Sequence, residues 1–404
     1  MLTKQYINCN FAGYVKQIRI MDTTFVYDRF VTGKHFIGRK AECVALANLL
    51  EAGEHVVIYE PPKAGKESVI QQTLFEMRMK GRQFMVGQLD LFNVRTISEF
   101  LVSFGSSVIR PVTSTPNEYA AIVSKYLSGT HFIFDKSRFA SDAQEVVSLN
   151  WEPDKADIEA MLRLPGMIAR DKGITFFMNI SQFSNLLKTE DSDLIFKTME
   201  KVMSDKSQES PATVFILTGS TVNAMKYIFE EKKFFYHMVE HLPLHNVDNR
   251  EIIDYIVKGF MFTGKVVEKE LVLGACRLFR GNLWYLNHFF AICDSLSKGY
   301  INESVLMEAL NMIISIHEPR FRSIVDDLTD FQLSLLKAVL EGVVKFSSVD
   351  VISKYSLNSS ANVRRVKDAL KKKEVVTFNE KDEPMILDPL FEYWVSKYYF
   401  GMNK

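Results

Sequence analysis

The chain has 404 residues, 47% of them hydrophobic and 24% charged, enough for two or three folded units of ordinary globular composition. Lys+Arg and Asp+Glu both number 49, which excludes a global field drawing the protein onto nucleic acid or membrane and leaves such binding to local patches. The four cysteines (Cys9, Cys43, Cys276, Cys293) share no C-x-x-C spacing, so no zinc site or disulfide framework is indicated.

Residues 1–35 are mixed and aromatic-rich, an N-terminal extension with no assigned element. From Phe36 the pattern becomes regular. The stretch FIGRKAECVALANLLEAG carries Cys43, Leu46, Leu49 and Leu50 at helical spacing and stops at Gly53. Val56–Tyr59 reads as a strand, Ser68–Lys80 as a helix and Phe84–Leu89 as a second strand. Residues 97–110 and 117–127 read as helices, and His131–Phe134 as a short strand. Residues 136–156 are polar and irregular, which suggests an insertion. Ile158–Asp171 is helical, and Ile174–Ile180 and Thr213–Thr218 are buried strands. Short apolar strands alternating with helices predict a parallel sheet covered on both faces.

Strands are expected to end at His245, with amphipathic helices over 249–316. Residues 321–404 then read helix, helix, turn, helix and β-hairpin, the order of a winged helix-turn-helix. No run of about 18 apolar residues is present, so no membrane span is expected. With no charged-then-apolar signal pattern at the start, the cytoplasm is the expected compartment.

Residues Val56 to Ser68 read VVIYEPPKAGKES, a strand running into a lysine-bearing glycine turn. That outlines the loop G-x-x-x-x-G-K-[ST], whose backbone N–H groups cradle phosphates while its lysine reaches the outer ones and its hydroxyl holds Mg²⁺. Gly65 and Lys66 are in register; Glu60 stands at the first glycine and Glu67 at the hydroxyl. The candidate phosphate-binding residues are therefore Pro62, Lys63, Ala64, Gly65, Lys66, Glu67 and Ser68. The bland alternative is a surface turn, which the flanking strand and helix argue against.

Taken together the motifs resemble the archaeal-type ATPase family within the STAND class of P-loop proteins. FIGRKAE (Phe36–Glu42), the loop, TGS (Thr218–Ser220), FFYHMVEHLPLHNV (Phe234–Val247), RGNLWYL (Arg280–Leu286) and DPLFEYW (Asp388–Trp394) carry the likeness across roughly residues 36–396. It implies an α/β P-loop NTPase core with a parallel sheet over 36–247, a helical lid over 248–320 and a C-terminal winged helix over 321–404. It also implies ATP or ADP as ligand, with Arg39 of the entry motif at the base or ribose; the alternative for Arg39 is a pair with a neighbouring acid.

The departures fall on the chemistry. Such ATPases place D-E after a buried strand, and here the best register puts Ser181 at the metal carboxylate and Gln182 at the water-activating glutamate. A shift of one or two residues brings Asn179 or Ile180 there instead, and no register yields an acid. His237-Met238 stands where the family carries Gly-Arg, and Leu283 replaces the proline of the lid turn. Glu67 leaves Mg²⁺ binding open. The resemblance thus implies nucleotide binding with weak or lost hydrolysis, a nucleotide-dependent switch. The alternatives are an active ATPase completed by a partner's groups, or a winged-helix protein with a vestigial site.

In the third helix of the C-terminal unit, Val363, Val366 and Leu370 form the core face and leave Arg364, Arg365, Lys367 and Lys371 outward. Those four are the candidate DNA-contacting residues of a recognition helix. The wing beside them is acidic (Glu380, Asp382, Glu383), which favours a protein-interaction role instead. His131, His237, His241 and His245 lack the intervals of a metal cluster.

Overall fold

The computed structural model describes residues 24–140, 145–205 and 213–402. Residues 1–23 of the N-terminal extension and 141–144 of the expected insertion lie outside these.

Helix α1 (Lys40–Ala52) leads to strand β1 (His55–Tyr59), the loop and helix α2 (Lys66–Met79). Then come β2 (Phe84–Asp90), α3 (Ile97–Ile109), α4 (Pro116–Tyr126), β3 (Phe132–Phe134), α5 (Lys136–Ala140), β4 (Val147–Leu149) and α6 (Lys155–Lys172). The core closes with β5 (Thr175–Ser181), α7 (Ser192–Met203), β6 (Thr213–Gly219), α8 (Val222–Lys226) and β7 (Val239–His241). Five strands make one parallel sheet in the order β2-β5-β6-β1-β7.

Period-2 alternation on buried strands explains the two-sided core. Val56, Ile58, Phe177, Val214 and Ile216 pack toward α1 and α2, in a cluster with Leu46, Val69 and Leu74. Val57, Phe176, Met178, Ile180, Phe215 and Leu217 face the other way, against Phe100, Phe104, Met161 and Phe196 of α3, α6 and α7. Burial of each such side chain is worth roughly 1.5–3 kcal/mol.

Two expectations need correcting. The segment over 136–156 is not wholly irregular, because Val147–Leu149 pairs antiparallel with β3, which stands apart from the main sheet. Strands also do not end at His245. Two-residue strands β8 (Val266–Val267) and β9 (Tyr300–Ile301) pair in parallel among the later helices.

Those helices are α9 (Asn249–Phe262), α10 (Lys269–Leu278), α11 (Leu283–Leu296) and α12 (Glu303–Asp326). Helices α13 (Asp330–Leu340), α14 (Val349–Lys354) and α15 (Ser360–Lys372) follow, then the hairpin β10 (Val376–Phe378) and β11 (Pro384–Ile386), and α16 (Pro389–Trp394). Ile256, Phe260, Phe290, Phe321, Leu335, Val366 and Trp394 belong to one apolar cluster, so these helices and the winged helix share a core. Phe25 joins it, its ring tilted against Phe260 at 4.9 Å, so the chain before α1 is strapped to the same body.

Candidate functional site

Strand β1 delivers the loop at the carboxyl edge of the sheet, where open α/β sheets bind ligands. Gly65 caps α2 with φ 89°, a left-handed conformation that glycine accepts freely. A Cβ there would also sit 3.0 Å from Arg39 Nη1. Lys66 is buried, and its ammonium donates to the carbonyls of Glu60 (2.6 Å) and Pro61 (3.0 Å). Burial pushes its pKa down to about 8, against the pull of Glu60. Glu60 accepts the Leu244 N–H at 3.1 Å; burial raises its pKa while that bond, Lys66 and Arg39 oppose the rise.

Arg39 braces the loop from behind. Its Nη1 donates to Ala64 O at 2.5 Å and its Nε to His245 O at 3.3 Å. The Ser68 hydroxyl accepts the Val31 N–H at 3.1 Å, and Gln72 Oε1 accepts that of Gly33 at 2.8 Å. The segment before α1 therefore lies along the first turns of α2. Pro62 is exposed at the loop tip.

Lys63 points the other way. Its backbone is left-handed (φ 66°), which costs a side-chain-bearing residue roughly 1–2 kcal/mol. The ammonium sits 3.3 Å from the centroid of the Trp284 ring and 5.4 Å from that of Tyr285, at the start of α11. Tyr27 completes the cluster, stacked 4.2 Å from His288. Burial, then the charge of Arg320, lowers the Lys63 pKa to about 8, while Asp388 pulls it up. Asp388 in turn pairs with Arg320 and accepts from the Tyr285 hydroxyl at 2.9 Å. A single loop residue thus meets α11, and through Tyr285 and Asp388 the start of α16. Nothing in the periodicity points to that junction, and the left-handed backbone of Lys63 shows only in the structure.

On the strand side, Asn179 rather than Ser181 or Gln182 faces Glu67. Asn179 Nδ2 stands 3.4 and 3.5 Å from the two Glu67 oxygens and donates to Gln88 Oε1 at 2.7 Å. Asn179 and Ser181 share one face of β5, so the alternation does not separate them; the height of α2 against the strand does. Ser181 lies one pleat beyond, its hydroxyl on Leu89 O at 3.4 Å. Gln182 leaves the strand in a left-handed turn (φ 55°). Ile180, next to Asn179, is fully buried and turned to the opposite face. His237 is exposed. Asn179 Oδ1 is buried without a hydrogen-bond partner.

The second junction lies just past the TGS turn. Strand β6 pairs Gly219 with Tyr59 at the loop's start, and α8 follows. Glu374, after α15, accepts the N–H groups of Asn223 (3.1 Å) and Ala224 (2.9 Å). Asn223 Nδ2 donates to the carbonyls of Lys371 (3.0 Å) and Val376 (3.1 Å), and Lys226 Nζ to that of Phe378 (3.0 Å). Of the four basic residues expected to read DNA, Lys371 pairs with Glu231 at 3.3 Å and Lys367 with Asp382 of the wing at 2.5 Å. Arg364 and Arg365 remain exposed. The groove between α15 and the wing, lined by Arg364, Lys367, Lys371 and Asp382, has a volume of about 420 Å³.

Among the described residues, His131, Asp154 and Asp157 lie close enough to hold a metal ion. Their bonds have a structural explanation. Asp154 caps α6, and Asp157 accepts from the backbone N–H groups of Asp154 and His131 and lies in hydrogen-bond contact with His131 Nδ1.

The architecture is a parallel α/β core with a phosphate-type loop, a helical segment and a C-terminal winged helix, a fold it shares with archaeal Walker-type ATPases of known structure. A family model described as a probable winged helix domain matches residues 319–397. The Walker-type ATPase of Pyrococcus abyssi superposes with a TM-score of 0.62 at 15% identity, over 92% of this chain and 99% of that one. The ORC2 protein of Aeropyrum pernix, in ADPNP–ADP complexes, gives 0.57 at 14% identity, over 91% and 93%. These likenesses establish the fold. No curated protein matches the sequence. No helix among the described residues is long and apolar enough to cross a membrane.

Proposed function

We propose that the chain is a cytoplasmic nucleotide-dependent switch of the STAND type that binds ATP or ADP on its phosphate loop and hydrolyses weakly or not at all. One observation carries this reading: the loop keeps its buried Lys66 while Asn179 and Ile180 occupy the strand positions beside it. Phosphoryl transfer needs positioning, a metal and a group that orients water. Lys66, Gly65 and the N–H groups at the start of α2 serve the first need. Ile180, apolar and facing away, cannot orient water. The ORC2 structure that resembles this one contains nucleotide, which supports the same reading.

The two junctions give bound nucleotide a route to the winged helix. Phosphates competing for Lys63 would draw it from Trp284, and movement at the TGS turn would reach Glu374 through α8. The winged helix acts first as a body docked on the core, because Lys371 pairs with Glu231 and Glu374 accepts from α8, while Lys367 is taken up by Asp382 of its own wing. Arg364 and Arg365 are what it offers a DNA duplex or an acidic protein partner. Calorimetric titration with ADP and ATP tests the reading. Saturable binding of either nucleotide, lost on denaturation, is expected; no binding of either refutes the switch and leaves the loop vestigial.

A further inference from the structure

The Lys63 ammonium is held in a box of rings, 3.3 Å from the Trp284 centroid and 5.4 Å from that of Tyr285. Two imidazoles complete the box. His288 stacks on Tyr27 at 4.2 Å and meets Trp284 edge-on at 5.2 Å, and His317 lies edge-on to His288 at 5.8 Å. His288 is 7% exposed, and neither its Nδ1 nor the Nε2 of His317 has a hydrogen-bond partner. Few buried polar atoms are left that way. We propose that the box exchanges one cation for another: the Lys63 ammonium before phosphates arrive, and a proton on His288 once they draw Lys63 away. The inference rests on nucleotide binding at this loop.

The surroundings single out His288. Burial, then the charge of Lys63, holds its pKa below the usual histidine range. His317 is pushed down to about 4 by burial, then by Lys63, Arg320 and His288, with Asp388 opposing. Arg320 stays beside His317 whichever way Lys63 turns, so His317 remains neutral. The other charged or titratable groups at the box already have partners. Arg320 of α12 pairs with Asp388 at the start of α16 and donates to the Tyr285 hydroxyl at 3.2 Å, and that hydroxyl donates to Asp388. On α9 the Tyr255 hydroxyl donates to Thr24 O at 3.1 Å.

Two changes follow when Lys63 leaves. A positive charge goes, and water can reach the space its side chain filled; both favour a charged imidazole. The Tyr27 face stacked on His288 attracts an imidazolium as the Trp284 face attracts the ammonium. His288 therefore has a higher pKa in the nucleotide-bound form than in the free form. Affinity rises as pH drops through the bound-form value and levels off below the free-form value. The opposing view makes both imidazoles neutral filler that Lys63 leaves unchanged.

Two measurements test the exchange. The first needs no nucleotide: a histidine side-chain NMR titration of the native chain, Lys63→Asn and Lys63→Gly, with His288→Gln identifying the resonance. Both replacements at Lys63 accept a left-handed backbone and vacate the box. His288 should titrate at a pH about one unit or more higher in both than in the native chain. Equal titration in all three overturns the exchange and leaves the switch reading standing. The second is calorimetric titration with ADP at about pH 6.5, the ordinary histidine value, in buffers of different ionisation enthalpy. The native chain should take up more protons per ADP than His288→Gln, by up to about one. The ADP phosphates and Lys66 are common to both proteins and cancel in the difference. Equal uptake overturns the exchange while nucleotide binding stands. Failure of the native chain to bind ADP overturns both the exchange and the switch.

Discussion

The two walls of the proposed nucleotide site differ in what they offer a ligand. On the loop wall the cations remain: Lys66 is buried on the loop's own carbonyls, Lys63 reaches the Trp284 ring, and Arg39 braces Ala64 from behind. On the strand wall an amide and an isoleucine occupy Asn179 and Ile180, and the nearest carboxylate comes from Glu67 on the helix. Binding phosphate draws on the first wall and activating water on the second. On the proposed reading, recognition and turnover can part company because the groups that would serve each stand on different elements.

The sharpest way to break the contrast is to rebuild the strand wall. Glu67→Thr with Asn179→Asp and Gln182→Glu, the last at the half-buried end of β5, should raise ATP turnover by about 10²-fold or more, the usual worth of a positioned acid or base. A steady-state phosphate-release assay reads it. If the rate does not move while ATP still binds, the missing acids are not what limits the protein. Ile180→Glu instead should chiefly destabilise, because that side chain is fully buried.

Next in size is the loop wall. Lys66→Ala removes a charge-assisted phosphate contact, worth roughly 1.5–3 kcal/mol, or about tenfold or more in affinity. The same lysine sets a pH dependence. Its pKa lies at about 8, so it is protonated below that value and loses its charge as pH rises through it. ATP affinity should therefore fall as pH rises through about 8, and Lys66→Ala should leave only the part of the fall that Lys63, lowered to a similar value, supplies. An unchanged dissociation constant in Lys66→Ala would remove the loop from the account.

A smaller effect is expected at the second junction. Glu374→Gln keeps one acceptor and puts an amide N–H₂ against the other of the two N–H groups, of Asn223 and Ala224, at a cost of about 1–3 kcal/mol. Hydrogen exchange in α8 and at the end of α15 should rise, while ATP affinity stays close to native. Unaltered protection would mean that the apolar contacts hold the winged helix without Glu374.

Much of this architecture was legible because burial writes a clear pattern. Val56–Tyr59, Thr213–Thr218 and the Val363/Val366/Leu370 face carry the periods of strand and helix. Strand β7 escaped notice because three residues, half-buried and exposed, make no run of apolar side chains. On the loop, spacing placed Gly65 and Lys66 at the head of α2, where the structure has them. The site was not legible on β5, where Asn179 and Ser181 lie on one face and only the packing of α2 chooses between them. Lys367 and Lys371 looked outward by periodicity, yet Asp382 and Glu231 from other elements meet them there. Long-range pairs of that kind leave no trace in local spacing.

The central claim is that ATP is held and not consumed. The most direct measurement incubates the native chain with Mg²⁺ and a substoichiometric amount of labelled ATP, then quenches and separates the bound nucleotide over hours. The account expects the label to stay mostly ATP, at a turnover far below the ~1–100 s⁻¹ typical of kinases. Rapid, Mg²⁺-dependent conversion to ADP that disappears in Lys66→Ala would contradict it.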